Sequence, residues 1–148
     1  MKYSQKDQNN LRMLIGLSRN TTLLHRRGAR IFRKSGLSLM QFAVLEALYH
    51  KGPMSIKEIL ESLLATGGNV TLVIKNLQKL GLVDSLADPE DRRVRIVSIT
   101  KRGEEKIEEI FPKHLLDLEE YFEVLSDEEK ERLIALLKKL GRVKEKKE

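Results

Sequence analysis

The sequence predicts a mainly α-helical chain with one small β-hairpin, and three observations carry that prediction. Apolar residues recur at the three-to-four-residue spacing of an amphipathic helix over most of the chain. Three capping boxes, Ser38–Gln41, Ser55–Glu58 and Ser126–Glu129, mark helix starts, because a serine oxygen and a returning side chain satisfy the first free backbone N–H groups. Only between Leu82 and Ile99 does the pattern turn strand-like, with two short β-prone runs separated by Asp88-Pro89-Glu90-Asp91-Arg92-Arg93.

The elements follow in order. From about Asn10 to Lys34, the positions Leu11, Leu14, Ile15, Leu17, Leu24, Ile31 and Phe32 fit one long helix, which Gly36 ends. The box at Ser38 opens a second helix to about His50, with Phe42, Leu45 and Leu48 facing a core, and Gly52-Pro53 stops it. The box at Ser55 opens a short third helix to about Leu63. Thr66 is placed to cap a fourth, from Gly67 to Leu80, whose Val70, Val73, Ile74 and Leu77 share a face. Two glycines at its start are costly for helix stability, at roughly 1 kcal/mol each against alanine. They suit either a close approach of backbone N–H groups to an anion or a tight turn. Strands at Leu82–Ala87 and Val94–Ile99 form the hairpin. Thr100 caps a long helix to about Glu123, with a bend expected at Phe111-Pro112, and the box at Ser126 opens the last helix.

Helix, turn, helix and hairpin in this order make the central block a winged helix-turn-helix. The amphipathic terminal helices lie outside it and need a surface to bury against, and a second copy of the chain is the simplest one. The expected organisation is an N-terminal dimerisation helix (1–36), a winged helix-turn-helix domain (37–103) and C-terminal dimerisation helices (104–148), intertwined as one unit.

Charge agrees with a polyanion partner. The net charge is +6, distributed as +8 over residues 1–53, +2 over 54–103 and −4 over 104–148. A basic front and an acidic back fit nucleic acid on one side, although an unevenly charged solvated surface reads the same way. No apolar run approaches the ~18–20 residues of a bilayer span, and the polar N-terminus lacks the apolar core of a secretion signal. A cytoplasmic protein without membrane contact is expected.

Nothing supports catalysis. The chain has no cysteine, and His25, His50 and His114 are scattered without metal-ligand spacing. The glycine pair at 67–68 is no P-loop or dinucleotide fingerprint. No catalytic residue, metal or cofactor is expected.

The segments "LSLMQFAVLEAL" and "VTLVIKNLQKLGLVDSLADPEDRRVRIVSITKRG", between Leu37 and Gly103, resemble the MarR family of bacterial winged-helix transcription regulators. The resemblance rests on a helix ending in Leu-x-x-x-Gly-Leu-Val, the Asp-Pro-x-Asp-Arg-Arg wing and the Ile-Thr-x-x-Gly exit. It implies a homodimer with interleaved terminal helices, bound to double-stranded DNA at a pseudo-palindromic operator. It also implies repression relieved by a small-molecule effector, in many members an aromatic anion. The alternatives are an activator without ligand control and a winged-helix protein-interaction module.

In such a protein the fourth helix enters the major groove. Asn69, Thr71 and Lys75 suit base edges, with Asn76 secondary and Thr66, Gly67 and Gly68 at the helix start against the backbone. Asn69 also suits a capping role. Many members carry arginine where this chain has Leu72, so guanine readout is lost there and an A·T-leaning or shape-read operator is implied. By position in the family, Arg92 and Arg93 inherit the minor-groove role, with Asp88 or Asp91 holding one of them. Arg95, Ser55 and Lys57 are candidates for phosphates, as are Lys101 and Arg102. On the first helix, Arg19, Arg26, Arg30 and Arg33 share a face. Phosphate contact, an effector pocket at His25, Arg26 and Arg30, and ion pairs with the partner's acidic helices all compete there, the last being favoured.

Overall fold

The computed structural model describes residues 2–63 and 70–142. It divides into two compact units, Met1–His114 and Leu115–Glu148.

Unit one opens with α1 (Gln5–Lys34), which starts a turn earlier than its apolar spacing suggests. Ser4 and Asp7 form a fourth capping box, with the Ser4 oxygen accepting the Asp7 N–H at 3.1 Å and the Asp7 carboxylate accepting the Ser4 N–H at 3.2 Å. The helix ends in a Schellman turn. Leu37 N–H reaches the Phe32 carbonyl at 3.0 Å and Gly36 N–H the Arg33 carbonyl at 3.1 Å, with Gly36 at a φ of 79°.

Ser38 then caps α2 (Leu39–Lys51) through both bonds of its box. α2 is the central helix of the unit, burying Phe42, Val44, Leu45, Ala47 and Leu48. The Phe42 ring stacks on Phe32 of α1, centroids 3.8 Å apart, and the His114 ring meets both edge-on. This aromatic trio fixes the last turns of α1 against the core; offset or edge contacts of this kind add to plain area burial.

One strand was not legible in sequence. β1 (Met54–Ser55) pairs antiparallel with β3 (Arg95–Ile99), placing Met54 opposite Val97 and Ser55 opposite Ile96. The expected hairpin is therefore a three-stranded sheet in the order β1-β3-β2, with β2 at Val83–Ala87. Both hairpin strands are one residue shorter at their start than expected.

Between β1 and β2 lie α3 (Ile56–Leu63) and α4 (Val70–Lys79). Ile59 anchors α3, while Val70, Ile74 and Leu77 anchor α4. α4 repeats the Schellman ending, from Leu82 N–H to the Leu77 carbonyl at 3.0 Å and from Gly81 N–H to the Gln78 carbonyl at 2.9 Å. The positive φ of 71° at Gly81 is what lets the chain turn straight from α4 into β2.

α5 (Lys101–Phe122) leaves the sheet at the Ile-Thr-x-x-Gly motif and runs without interruption through Pro112. The Thr100 hydroxyl donates to the Gly81 carbonyl at 2.8 Å while its oxygen accepts the Gly103 N–H at 3.1 Å. One side chain thus ties the α4 turn to the start of α5. Gly103 is buried beneath Leu82, where a Cβ would stand 2.2 Å from the Leu82 carbonyl oxygen.

Unit two contains the end of α5 and α6 (Asp127–Leu140), which Ser126 caps through its full box. Leu118, Phe122 and Leu125 line a groove with Leu133, Ile134 and Leu137 of α6. No residue of α6 is buried, and Leu136 and Leu140 are also exposed. The apolar half of α1 stands open in the same way at Leu11, Met13, Leu14, Ile15 and Leu17. No helix among the described residues is long and apolar enough to cross a membrane.

Candidate nucleic-acid interface

The helix-turn-helix presents α4 with one face locked and the other free. Val70, Ile74 and Leu77 fill the core at 3% exposure or less, so a helix of 3.6 residues per turn must send Thr71, Leu72, Lys75 and Lys79 outward. All four are exposed, and Asn76 lies half-buried at the side of the face. Lys79 escaped the sequence reading, although its place four residues beyond Lys75 was signal enough. Thr66, Gly67, Gly68 and Asn69 lie outside the described residues.

The wing tip is a tightly bonded loop. Asp88 N–H donates to the Val94 carbonyl at 2.9 Å and Val94 N–H to the Asp91 carbonyl at 2.8 Å. Two aspartates brace the interior of the loop in side-chain turns, Asp88 accepting the Glu90 N–H at 2.9 Å and Asp91 the Arg93 N–H at 3.0 Å.

The two carboxylates then part in role. Asp91 grips the Arg93 guanidinium with both oxygens, Nε to Oδ1 at 3.0 Å and an Nη to Oδ2 at 3.1 Å. This charge-assisted fork, with the Arg93 N–H added, holds the Asp91 carboxyl below the usual aspartate range. Asp88 is therefore not the arginine's holder; its carboxylate serves the turn. Arg92, exposed at the same tip, has no ion pair among the described residues.

Arg95, a candidate for phosphate contact, is exposed and bonded to the neighbouring strand. Its guanidinium crosses to β2, donating from Nε to the Ser85 hydroxyl at 3.3 Å and from an Nη to the Ser85 carbonyl. An arginine so occupied braces the base of the wing. Lys101 and Arg102 are exposed at the start of α5.

At the start of α3, Ser55 N–H donates to a Glu58 carboxylate oxygen at 2.7 Å and the Ser55 oxygen accepts the Glu58 N–H at 3.2 Å. The Ser55 N–H first, and then the Ser55 side chain, hold the Glu58 carboxyl below its ordinary value. Lys57 is exposed, 4.0 Å from Glu61.

On α1, Arg26 and Arg30 line one surface depression together with Arg33 and Lys34. Arg26 also borders a second, with Ser18, Arg19, Thr22 and Leu23. His25 lines neither, so the expected trio is brought together only as its two arginines.

Comparison with known proteins agrees with this geometry. The model of the MarR family matches residues 37–94. The chain is 36% identical over 134 residues to the HTH-type transcriptional regulator MhqR of Bacillus subtilis (strain 168), covering 90% of this chain and 92% of that one. It is 39% identical over 109 residues to the uncharacterized HTH-type transcriptional regulator YkoM of the same organism, covering 74% and 71% of the two chains. Among solved structures, Bordetella bronchiseptica BpsR, studied for regulation of its DNA binding by 6-hydroxynicotinic acid, superposes at a TM-score of 0.71 with 27% identity. That match covers 85% of this chain and 98% of BpsR.

Proposed function

The chain belongs to the MarR family and is a transcriptional regulator rather than an enzyme, and from that premise we propose that it acts as a homodimeric repressor at a pseudo-palindromic operator. The observation that carries the proposal is the pairing of an outward α4 face, Thr71, Leu72, Lys75 and Lys79, with a wing tip carrying one tethered and one untethered arginine.

α4 lies in the major groove, with Thr71 and Lys75 against base edges and Lys79 toward phosphates. Thr66, Gly67, Gly68 and Asn69 belong to the same contact through the family's pattern. Ser55 and Lys57 take phosphates flanking the groove. Arg92 enters the adjacent minor groove, drawn by its negative potential. Arg93 stays with Asp91 and lends its charge to the phosphates without leaving the loop.

Dimerisation covers what the single chain leaves open. The leucines on the first half of α1 and on α6 are too many and too contiguous to stay in water, and the two surfaces of a second copy bury them. Two wings related by a twofold axis then require an operator with the same symmetry.

The effector is a small aromatic anion. Two features support this reading, the paired Arg26 and Arg30 on α1 and the similarity to BpsR, whose DNA binding is regulated by 6-hydroxynicotinic acid. Bidentate guanidinium pairing is the chemistry such a carboxylate would use. A protection footprint on the DNA upstream of the protein's own gene, repeated with a panel of aromatic acids, tests target and ligand together. A protected palindromic site released by one acid is expected. Protection without sequence preference would refute the repressor reading.

A further inference from the structure

Leu72 is an apolar side chain where folding gives no reason for one. It stands almost opposite the buried stripe of α4, with Lys75 one turn and Lys79 two turns further along the same face, and it is 51% exposed. Its neighbours toward solvent, Thr71, Lys75 and Lys79, all carry polar groups. An apolar side chain in water at that point contributes nothing to the core, and a cationic or polar residue would serve phosphate contact better.

The major-groove edge of B-DNA offers one apolar feature, the C5-methyl group of thymine. The donors and acceptors beside it want hydrogen-bonding partners, and leucine can satisfy none of them. We propose that Leu72 reads a thymine methyl group in each operator half-site, so that this position of the operator is specified by hydrophobic contact rather than by hydrogen bonding. The inference rests on the proposed major-groove placement of α4 and adds to it the base that Leu72 selects.

The contact has a definite size. Burying one methyl group against a leucine is worth about fourfold in affinity at each half-site, from the free energy of moving one such group out of water. Guanine or cytosine at the same place costs more, because its polar edge is desolvated without a partner. Lys79, two turns further along the same exposed face, holds the helix to the backbone and leaves that choice to the leucine.

Deoxyuridine tests this cleanly, since it removes the methyl group and leaves every hydrogen-bonding atom of thymine in place. The full-length protein is used to select binding duplexes from a random-sequence pool. Each thymine of the selected half-site is then replaced in turn by deoxyuridine, symmetrically in both halves, and affinity is measured at fixed salt. The wild-type protein should lose about fifteenfold at one thymine position, two methyl groups being removed. Leu72→Ala should bind more weakly and be indifferent to that replacement, with an unchanged melting temperature showing that it is folded. Thr71→Ala should keep the sensitivity, which separates the leucine from the threonine methyl beside it.

Specific binding with no thymine sensitive to deoxyuridine would overturn the role of Leu72 and leave the DNA-binding reading standing. So would full sensitivity retained by Leu72→Ala. Failure to enrich any sequence would overturn both.

Discussion

Asp91 grips Arg93 with both carboxylate oxygens inside a loop that its neighbour Arg92 leaves. Adjacent arginines of identical chemistry are thereby made unequal. An exposed ion pair of this kind stabilises the fold very little. Its consequence is directional: the Arg93 side chain is fixed along the loop, so the freedom to extend falls to Arg92. Asp91→Ala should therefore leave the melting temperature almost unchanged yet weaken sequence-specific binding, by releasing a second mobile cation at the tip. A calorimetric scan beside a binding isotherm checks both halves of that expectation.

The same pair makes a pH prediction. The Arg93 guanidinium, and then its N–H, hold the Asp91 carboxyl below its ordinary value of 3.8. A depressed folded value means the grip is complete above the ordinary aspartate range and is lost only as pH falls through the lower folded value. The wing should thus stay held throughout mildly acidic conditions. The carboxyl carbon resonance of Asp91 should titrate below 3.8, and Arg93→Ala should move that midpoint up toward the ordinary value.

Gly103→Ala reverses an ordinary expectation. Alanine inside a helix normally gains about 1 kcal/mol over glycine. Here the added Cβ would meet the Leu82 carbonyl oxygen at 2.2 Å and Ile99 Cγ1 at 2.6 Å. Neither the carbonyl nor the strand can yield without breaking the junction that Thr100 ties. The substitution should destabilise the protein by about 3 kcal/mol, the upper end for forced overpacking, read as a lowered melting temperature.

Ser38→Ala should be milder, removing the oxygen that accepts the Gln41 N–H at 3.1 Å. A loss of about 1 kcal/mol is expected in chemical denaturation, the usual value of an N-cap. A loss below a few tenths would mean that the Gln41 side chain alone satisfies the start of α2.

What sequence could and could not reveal divides along physical lines. Capping boxes are local chemistry, so Ser38, Ser55 and Ser126 announced their helices, while Ser4 passed unseen because its partner was Asp7 and its surroundings polar. β1 escaped because two residues have no period, and Ser55 was already read as a cap. The spacing of Leu11, Leu14 and Leu17 marked a helix face, and all three side chains are exposed. The wing loop was visible as a turn. Which carboxylate holds which arginine was not, because Asp88 and Asp91 are equally near in sequence and only the folded turn directs one to a backbone N–H and the other to a guanidinium. Likewise the bond from Arg95 to Ser85 was not legible, because only strand pairing sets the two side by side.

Removal of α6 bears on assembly. A chain ending at Ser126 lacks Leu133, Ile134, Leu136, Leu137 and Leu140, the exposed apolar side of the last helix. Light scattering should find it monomeric. A surviving dimer would place the interface elsewhere.

On the proposed reading Arg92, and not Arg93, is the wing side chain that reaches the minor groove. The affinities of Arg92→Ala and Arg93→Ala for one selected operator duplex at the same salt separate the two. Arg92→Ala should lose tenfold or more, within the roughly 1–3 kcal/mol of a base-contacting arginine, and Arg93→Ala several-fold less. Equal losses, or a larger loss for Arg93→Ala, would contradict the account.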